Sequence, residues 1–313
     1  MFNHDSKIYV AGHTGLLGSA LIKALNEDGY KNIITKSHKK LELTDKLAVE
    51  NFFKENEIDF IFLCAGKVGG IIGNKTNPAS YLHENLLIQD NIFEMANKYE
   101  VKNVIFYGSS CTYPKVCQQP MKEEYWLTGA IEETSMGYAA AKIAGTIGCK
   151  SYNIQYNSNR FICVIPNSIY GPNDNFDLEN SHVFSALIRK IDTAKKENQD
   201  SLMLWGSGNP RREFIYSEDV ASASIFLMQN AKKLENSHYN LGSGIDYSIK
   251  ELAVAISKIV GYEGKIEWDT TKPDGAMPKL LDSNKFLELG WKPKVKFEDG
   301  LATTYQWYKE NYE

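Results

Sequence analysis

The sequence predicts an α/β protein: a doubly wound parallel sheet through the first half, then a smaller lobe. Three observations predict it. Short apolar runs alternate with amphipathic stretches from Ile8 to Pro166. One run, Phe60-Ile-Phe-Leu-Cys-Ala65, is apolar without a break, as a parallel strand buried on both faces must be. The first run ends in Gly12-His-Thr-Gly15-Leu-Leu-Gly18, a glycine turn that leads from a strand into a helix.

The elements follow in order. Ile8 to Gly12 reads as the first strand and Leu16 to Leu25 as the helix after it; Ile33-Ile-Thr35 is the second strand. Asn103 to Gly108 and Phe161 to Pro166 are further buried strands. A long helix is expected from about Pro78 to Tyr99. It carries two apolar stripes, Leu82, Leu86 and Phe93 on one and Tyr81, Ile88, Ile92 and Met95 on the other. One stripe suffices to dock on a sheet, so the second is free for a subunit interface or for a further neighbour. Another helix carries Tyr138 and Lys142 and continues toward Tyr156. Beyond Pro166 the pattern loosens: a polar loop from Asn173 to Asn180, helices over His182–Glu197 and Ser248–Val260, and short strands at Glu213–Tyr216 and Tyr239–Gly242. The expected division is a dinucleotide-binding domain over 1–166, with segments near 213–242 returning to it, and a mainly substrate-binding lobe over 167–313.

Composition narrows the function. The chain has 313 residues, 43% hydrophobic and 24% charged, so a large core is possible. A net charge of −4 supplies neither a nucleic-acid footprint nor a polybasic membrane patch. The polar residues 1–6 run into a strand, so no leader is expected, and no apolar run reaches the roughly 18 residues of a membrane span. The five cysteines (Cys64, Cys111, Cys117, Cys149 and Cys163) are scattered and lack CxxC spacing, so neither a disulfide framework nor a metal site is expected. The expected setting is the cytoplasm.

The chemistry sits in a few segments. Tyr138 and Lys142 are four residues apart on a helix and so share a face. An ammonium beside a phenol favours the phenolate, and a phenol that gives and retakes a proton suits reduction of a ketone. In the glycine turn, Gly12 allows the tight turn, Gly15 admits a pyrophosphate and Gly18 lets helix pack on sheet. The spacing is GxxGxxG, a weak pattern by itself. After the second strand stand Lys36, Ser37, His38, Lys39 and Lys40 where an NAD site would place an acid, which favours the 2′-phosphate of NADPH over NADH. Ser109, Ser110 and Cys111 follow an apolar strand, at the end of the sheet where sites form. Taken singly, Cys111 reads as a small hydrophobe and His182 as a surface cap. Arg212 and Lys279 offer cations for a phosphate.

Together, the glycine turn, Ser-Ser-Cys-x-Tyr-Pro and Tyr-x-x-x-Lys resemble an extended short-chain dehydrogenase/reductase of the Rossmann type. Within that superfamily the chain is similar to the GDP-L-fucose synthase family. Segments that carry the resemblance include Lys67-Val-Gly-Gly-Ile71, Gly108 to Lys115, Tyr138 to Gly145, Tyr170 to Phe176, Asn180-Ser-His-Val183, Trp205-Gly-Ser-Gly208, Arg212-Glu-Phe214, Lys272-Pro-Asp-Gly275 and Thr304-Tyr-Gln-Trp307.

The resemblance implies NADP(H) and a two-stage reaction on a GDP-4-keto-6-deoxy sugar, an epimerisation at C3 and C5 followed by reduction at C4. Cys111 would be the base and His182 the acid of the epimerisation, with Ser109 and Tyr138 holding the oxyanion. Tyr138 would then protonate the C4 oxygen beside Lys142. Implied cofactor contacts are Gly12, Thr14, Gly15, Leu16, Leu17 and Gly18, then Lys36 and His38 for the adenosine end. Ala65, Tyr138, Lys142, Pro166, Ser168 and His182 complete them. Ser109, Ser110, Cys111, Lys190, Trp205, Arg212 and Lys279 would take the substrate. Family members pair their long helices into a dimer. Three positions depart from the family pattern: Ser168 replaces Asn, Lys190 replaces Arg, and His38 replaces the Arg of the 2′-phosphate site. The first two leave a heptose or a reductase without epimerase activity as the alternative reading.

Overall fold

The structure, a computed structural model, describes residues 2–178, 181–272, 274 and 279–312. Asn180, Pro273 and Gly275, named above in family-like segments, lie outside the described residues. The first half runs β1 (Ile8–Ala11), α1 (Leu16–Glu27), β2 (Ile33–Ile34), α2 (Lys46–Glu55), β3 (Phe60–Leu63), α3 (Ile71–Thr76), α4 (Pro78–Lys98), β4 (Asn103–Tyr107), α5 (Met136–Gln155) and β5 (Phe161–Pro166). The second half runs β6 (Ser168–Tyr170), α6 (Val183–Lys196), β7 (Ser201–Trp205), β8 (Arg211–Tyr216), α7 (Ser217–Gln229), β9 (His238–Leu241), β10 (Asp246–Ser248), α8 (Ile249–Val260), β11 (Lys265–Asp269), α9 (Asn284–Leu289) and α10 (Phe297–Tyr312).

Six strands form the large parallel sheet in the order β2-β1-β3-β4-β5-β9. Its unbroken apolar runs are explained by the pleat, which sends successive side chains to opposite faces. Ile8, Val10, Phe60 and Phe62 pack on one face with α1 and α7. Tyr9, Ala11, Ile61 and Leu63 pack on the other with α2 and α4. Both faces are dry, so alternation between apolar and polar residues is absent. A third cluster joins Phe184, Leu187 and Ile191 of α6 to Leu252 and Ile256 of α8 and Tyr305 of α10. There α8 is framed by a Ser248–Glu251 capping box and a left-handed Gly261.

Several boundaries differ from expectation. β2 has only Ile33 and Ile34, both half-buried at the sheet edge. His182 is the N-cap of α6 rather than its first residue. The strand at 213–216 starts at Arg211 and joins β6 and β10 in a separate three-stranded sheet, whereas β9 returns to the large sheet. β7 and β11 form a parallel pair that gave no strong sequence signal, because their residues are partly exposed. Among the described residues no helix is long and apolar enough to cross a membrane.

Candidate active site

The carboxyl ends of β1, β3, β4 and β5 deliver the candidate residues to one edge of the sheet. At β1, Gly12 has φ +80°, and a Cβ there would lie 2.7 Å from Ala65 N; at Gly18 it would lie 2.1 Å from Gly12 O. The fold itself therefore demands both glycines. Gly15 differs. It has an ordinary φ of −83°, and a Cβ would meet only Gly12 O, at 3.6 Å. Nothing in the chain requires glycine at 15, so the open backbone there fits an approaching ligand. Gly15 also caps α1 without a side-chain hydrogen bond, and the first turn carries no acid. The helix N-terminus is thus left available to an anion such as a pyrophosphate. Thr14 and Gly15 are exposed, Leu16 is half-buried, and Leu17 packs inward. Lys36 and His38 lie exposed beyond β2, and His38 Nε2 sits 3.1 Å from Glu42 Oε2.

Beyond β4, Ser109 opens a tight turn and its Oγ accepts from Cys111 N at 3.3 Å. The same hydroxyl favours ionisation of the Tyr138 phenol and of the Cys111 thiol. On α5, Lys142 faces the Tyr138 ring, its Nζ 5.8 Å from the ring centroid. The ammonium is buried and donates to Tyr107 O at 2.8 Å. Burial pulls its pKa down to about 8. The Tyr138 phenol is pushed up, first by burial and then by Cys111, with the Ser109 hydrogen bond opposing. This corrects the expectation of a lowered phenol: desolvation at this site outweighs the ammonium, whose hydrogen bond goes to the Tyr107 carbonyl.

Cys111 is half-buried, and burial raises its pKa; Lys279 opposes most strongly, then Ser109 and Lys142. Lys279 Nζ donates to Ser110 O at 3.3 Å, and Lys279 pairs with Arg212 in an isolated parallel bridge. Burial lowers the pKa of both cations. One cluster thus holds Ser109, Ser110, Cys111, Tyr138, Lys142, Lys279 and Arg212. Pro166 is buried at the end of β5, with Ser168 half-buried just beyond. A second group stands on the lobe: exposed Trp205 has Lys190 Nζ at 5.8 Å and Lys272 Nζ at 5.5 Å from its ring. His182 is exposed at the start of α6, and no hydrogen bond among the described residues ties it to Cys111 or Tyr138. Its charged neighbour is Asp174, whose carboxyl is raised by burial and lowered by the Ser185 hydroxyl and then by His182.

Three site residues escaped the sequence reading. Asn167 and Glu213 form a buried polar pair beside Lys279, and Asp174 stands at His182. The legible sign for Glu213 was a carboxylate in step with Ile215, two residues along a strand whose inner face is apolar.

Residues 8–242 match the NAD dependent epimerase/dehydratase family, and the chain belongs to it. GDP-L-fucose synthase 1 of Arabidopsis thaliana is 46% identical over 311 residues, covering 99% of this chain and 95% of the plant protein. A solved GDP-6-OMe-4-keto-L-xylo-heptose reductase from C. jejuni is 39% identical with a TM-score of 0.93, over 99% of each chain. A GDP-D-glycero-L-gluco-heptose synthase from Campylobacter jejuni, solved in the presence of NADPH, is 38% identical with a TM-score of 0.92, over 99% of this chain and 100% of its own. Within its family the chain stands with the GDP-L-fucose synthases and their heptose-acting relatives.

Proposed function

We propose that the chain is an NADP-dependent oxidoreductase that epimerises a GDP-4-keto-6-deoxy sugar at C3 and C5 and reduces it at C4, giving GDP-L-fucose or a close relative. The observation that carries this reading is the gathering of Tyr138, Lys142, Ser109, Cys111 and Lys279 beyond β4, with Lys142 Nζ 5.8 Å from the Tyr138 ring, Ser109 Oγ on Cys111 N and Lys279 Nζ on Ser110 O. Cys111, as thiolate, takes a proton from a carbon flanking the ketone, and the electron pair moves onto the carbonyl oxygen. Ser109 and Tyr138 donate to that oxyanion. His182 returns a proton from the other face. NADPH, when bound, supplies the hydride that reduces C4. Tyr138 gives its proton to the C4 oxygen, and the neighbouring Lys142 ammonium steadies the phenolate that results. Arg212 holds the diphosphate, and Trp205 with Lys190 and Lys272 offers a face for the base. The cradle at Gly12–Gly18 and the Lys36–His38 turn take the dinucleotide. Residues 1–166, with α7 and β9, form the cofactor half of this scheme, and most of 167–313 forms the substrate half.

A homodimer belongs to the same proposal. α4 and α5 pack side by side, and half-buried Leu82 and Leu86 with exposed Ile147 and Ile154 leave apolar surface on them. Sedimentation at micromolar protein tests it: a monomer would remove the dimer.

The similarity to a heptose reductase and the Ser168 departure favour one second reading, a C4 reductase without epimerase activity. Incubation with the keto sugar in deuterated water, with NADPH withheld, separates the two. Deuterium at C3 or C5 supports the epimerase/reductase, and its absence leaves the plain reductase. A turnover panel of GDP-4-keto hexoses and heptoses, with products assigned by NMR, then fixes the sugar.

A further inference from the structure

Glu213 is a fully buried carboxylate, and among the described residues every hydrogen bond to it comes from an N–H group. Oε1 accepts from Gly244 N at 2.7 Å, and Oε2 accepts from Leu281 N at 2.9 Å and Asn167 Nδ2 at 2.5 Å. Asn167 is equally committed. Its second amide proton goes to Lys279 O at 2.8 Å, and its Oδ1 accepts from Ser168 N at 3.1 Å and Ser110 Oγ at 3.3 Å. Two side chains thus bind the backbone at 279–281 to the end of β5 and to the turn that carries Cys111. The tip of the bound segment is the Lys279 ammonium, on Ser110 O and beside the thiol.

We propose that Glu213 and Asn167 are positioning residues that clamp the Lys279–Leu281 segment, so that the Lys279 ammonium serves the Cys111 thiol rather than only the substrate diphosphate. The proposal rests on the acid–base role given to Cys111 above. Burial raises the pKa of this thiol, and Lys279 is the strongest opposing influence on it, ahead of Ser109 and Lys142. The other groups facing Lys279 are Arg212, Glu132 and Cys117, and Tyr138 also faces Cys111. Burial raises the Glu213 carboxyl, and the N–H donors from Leu281, Asn167 and Gly244 oppose it; a glutamine would turn its own NH₂ against those donors.

The test is the pH profile of Cys111 alkylation by iodoacetamide in the full chain, read by peptide mass spectrometry, with thermal melting alongside. Glu213→Gln and Asn167→Ala are expected to raise the midpoint by about one pH unit, a roughly tenfold slower reaction on the rising limb. Lys279→Met gives a comparable rise, and combining it with Asn167→Ala adds nothing further. A merely structural role would lower the melting temperature and leave the midpoint in place. An unmoved midpoint in Asn167→Ala, an unmoved midpoint in Lys279→Met, or additive shifts in the double variant would each overturn the proposal. If Glu213→Gln does not fold, Asn167→Ala, Lys279→Met and their combination decide. No substrate or NADPH enters this measurement, so a failure here is distinguishable from a failure of the proposed turnover.

Discussion

The two centres to which the proposed scheme gives proton transfer are built differently. Tyr138 and Lys142 share one helix, and Ser109 acts on Tyr138 from the adjacent strand end, so this centre needs a single helix–strand contact. The centre at Cys111 draws on four separated segments: the turn after β4, Asn167 after β5, Glu213 on β8, and Lys279–Leu281. His182 stands apart again, exposed at the N-cap of α6. In the proposed scheme, the difference means that reduction rests on local geometry, whereas epimerisation rests on separated segments holding register. Loss of register should therefore cost epimerase activity first.

The largest effect should fall on the local centre. Tyr138→Phe removes the proton donor, and kcat for NADPH oxidation is expected to drop by about 10³-fold with the fold intact. Near-normal turnover would dissolve the contrast between the centres. Cys111→Ala should slow deuterium entry at C3 and C5 by about 100-fold. Reduction of a keto sugar supplied already epimerised should persist in that variant, and equal loss of both activities would show that the centres are not separable. Next comes the buried ammonium. The folded chain holds the Lys142 proton less tightly than the unfolded chain does, because burial lowers its pKa from 10.5 to about 8. The stability it contributes is complete above about pH 10.5 and is lost as pH falls toward 8. Compared with Lys142→Met, the wild-type chain should gain on the order of 1–3 kcal/mol across that window in urea unfolding. A constant difference between the two proteins would contradict the assignment. The smallest effect is at the cradle. Gly15→Ala should raise the KM for NADPH about tenfold, roughly 1.4 kcal/mol, without changing the melting temperature. Gly18→Ala, whose Cβ would overlap Gly12 O, should instead cost about 1–3 kcal/mol of stability.

The same contrast sets what the sequence could reveal. Strands with both faces buried and the Tyr138–Lys142 spacing are local signals, readable within a few residues. The glycine turn was legible in the same way, though only the structure separates Gly15, open to a ligand, from Gly12 and Gly18, required by packing. The cross-chain centre left no such trace. Asn167 and Glu213 acquire meaning from partners on other segments, as far away as Lys279 and Leu281. The rise in the Tyr138 pKa was also invisible, because desolvation depends on the packed surroundings and not on spacing along a helix.

The strand order has a consequence for how the chain is made. β5 is wholly buried, and its outer neighbour is β9, which lies more than seventy residues later in the sequence. Until residue 241 has left the ribosome, a ladder of unpaired backbone groups on β5 is open to any other nascent chain. A fragment ended at Pro166 would carry that bare edge permanently and would also lack α7, the helix that covers α1. It should precipitate rather than persist as a free cofactor-binding module.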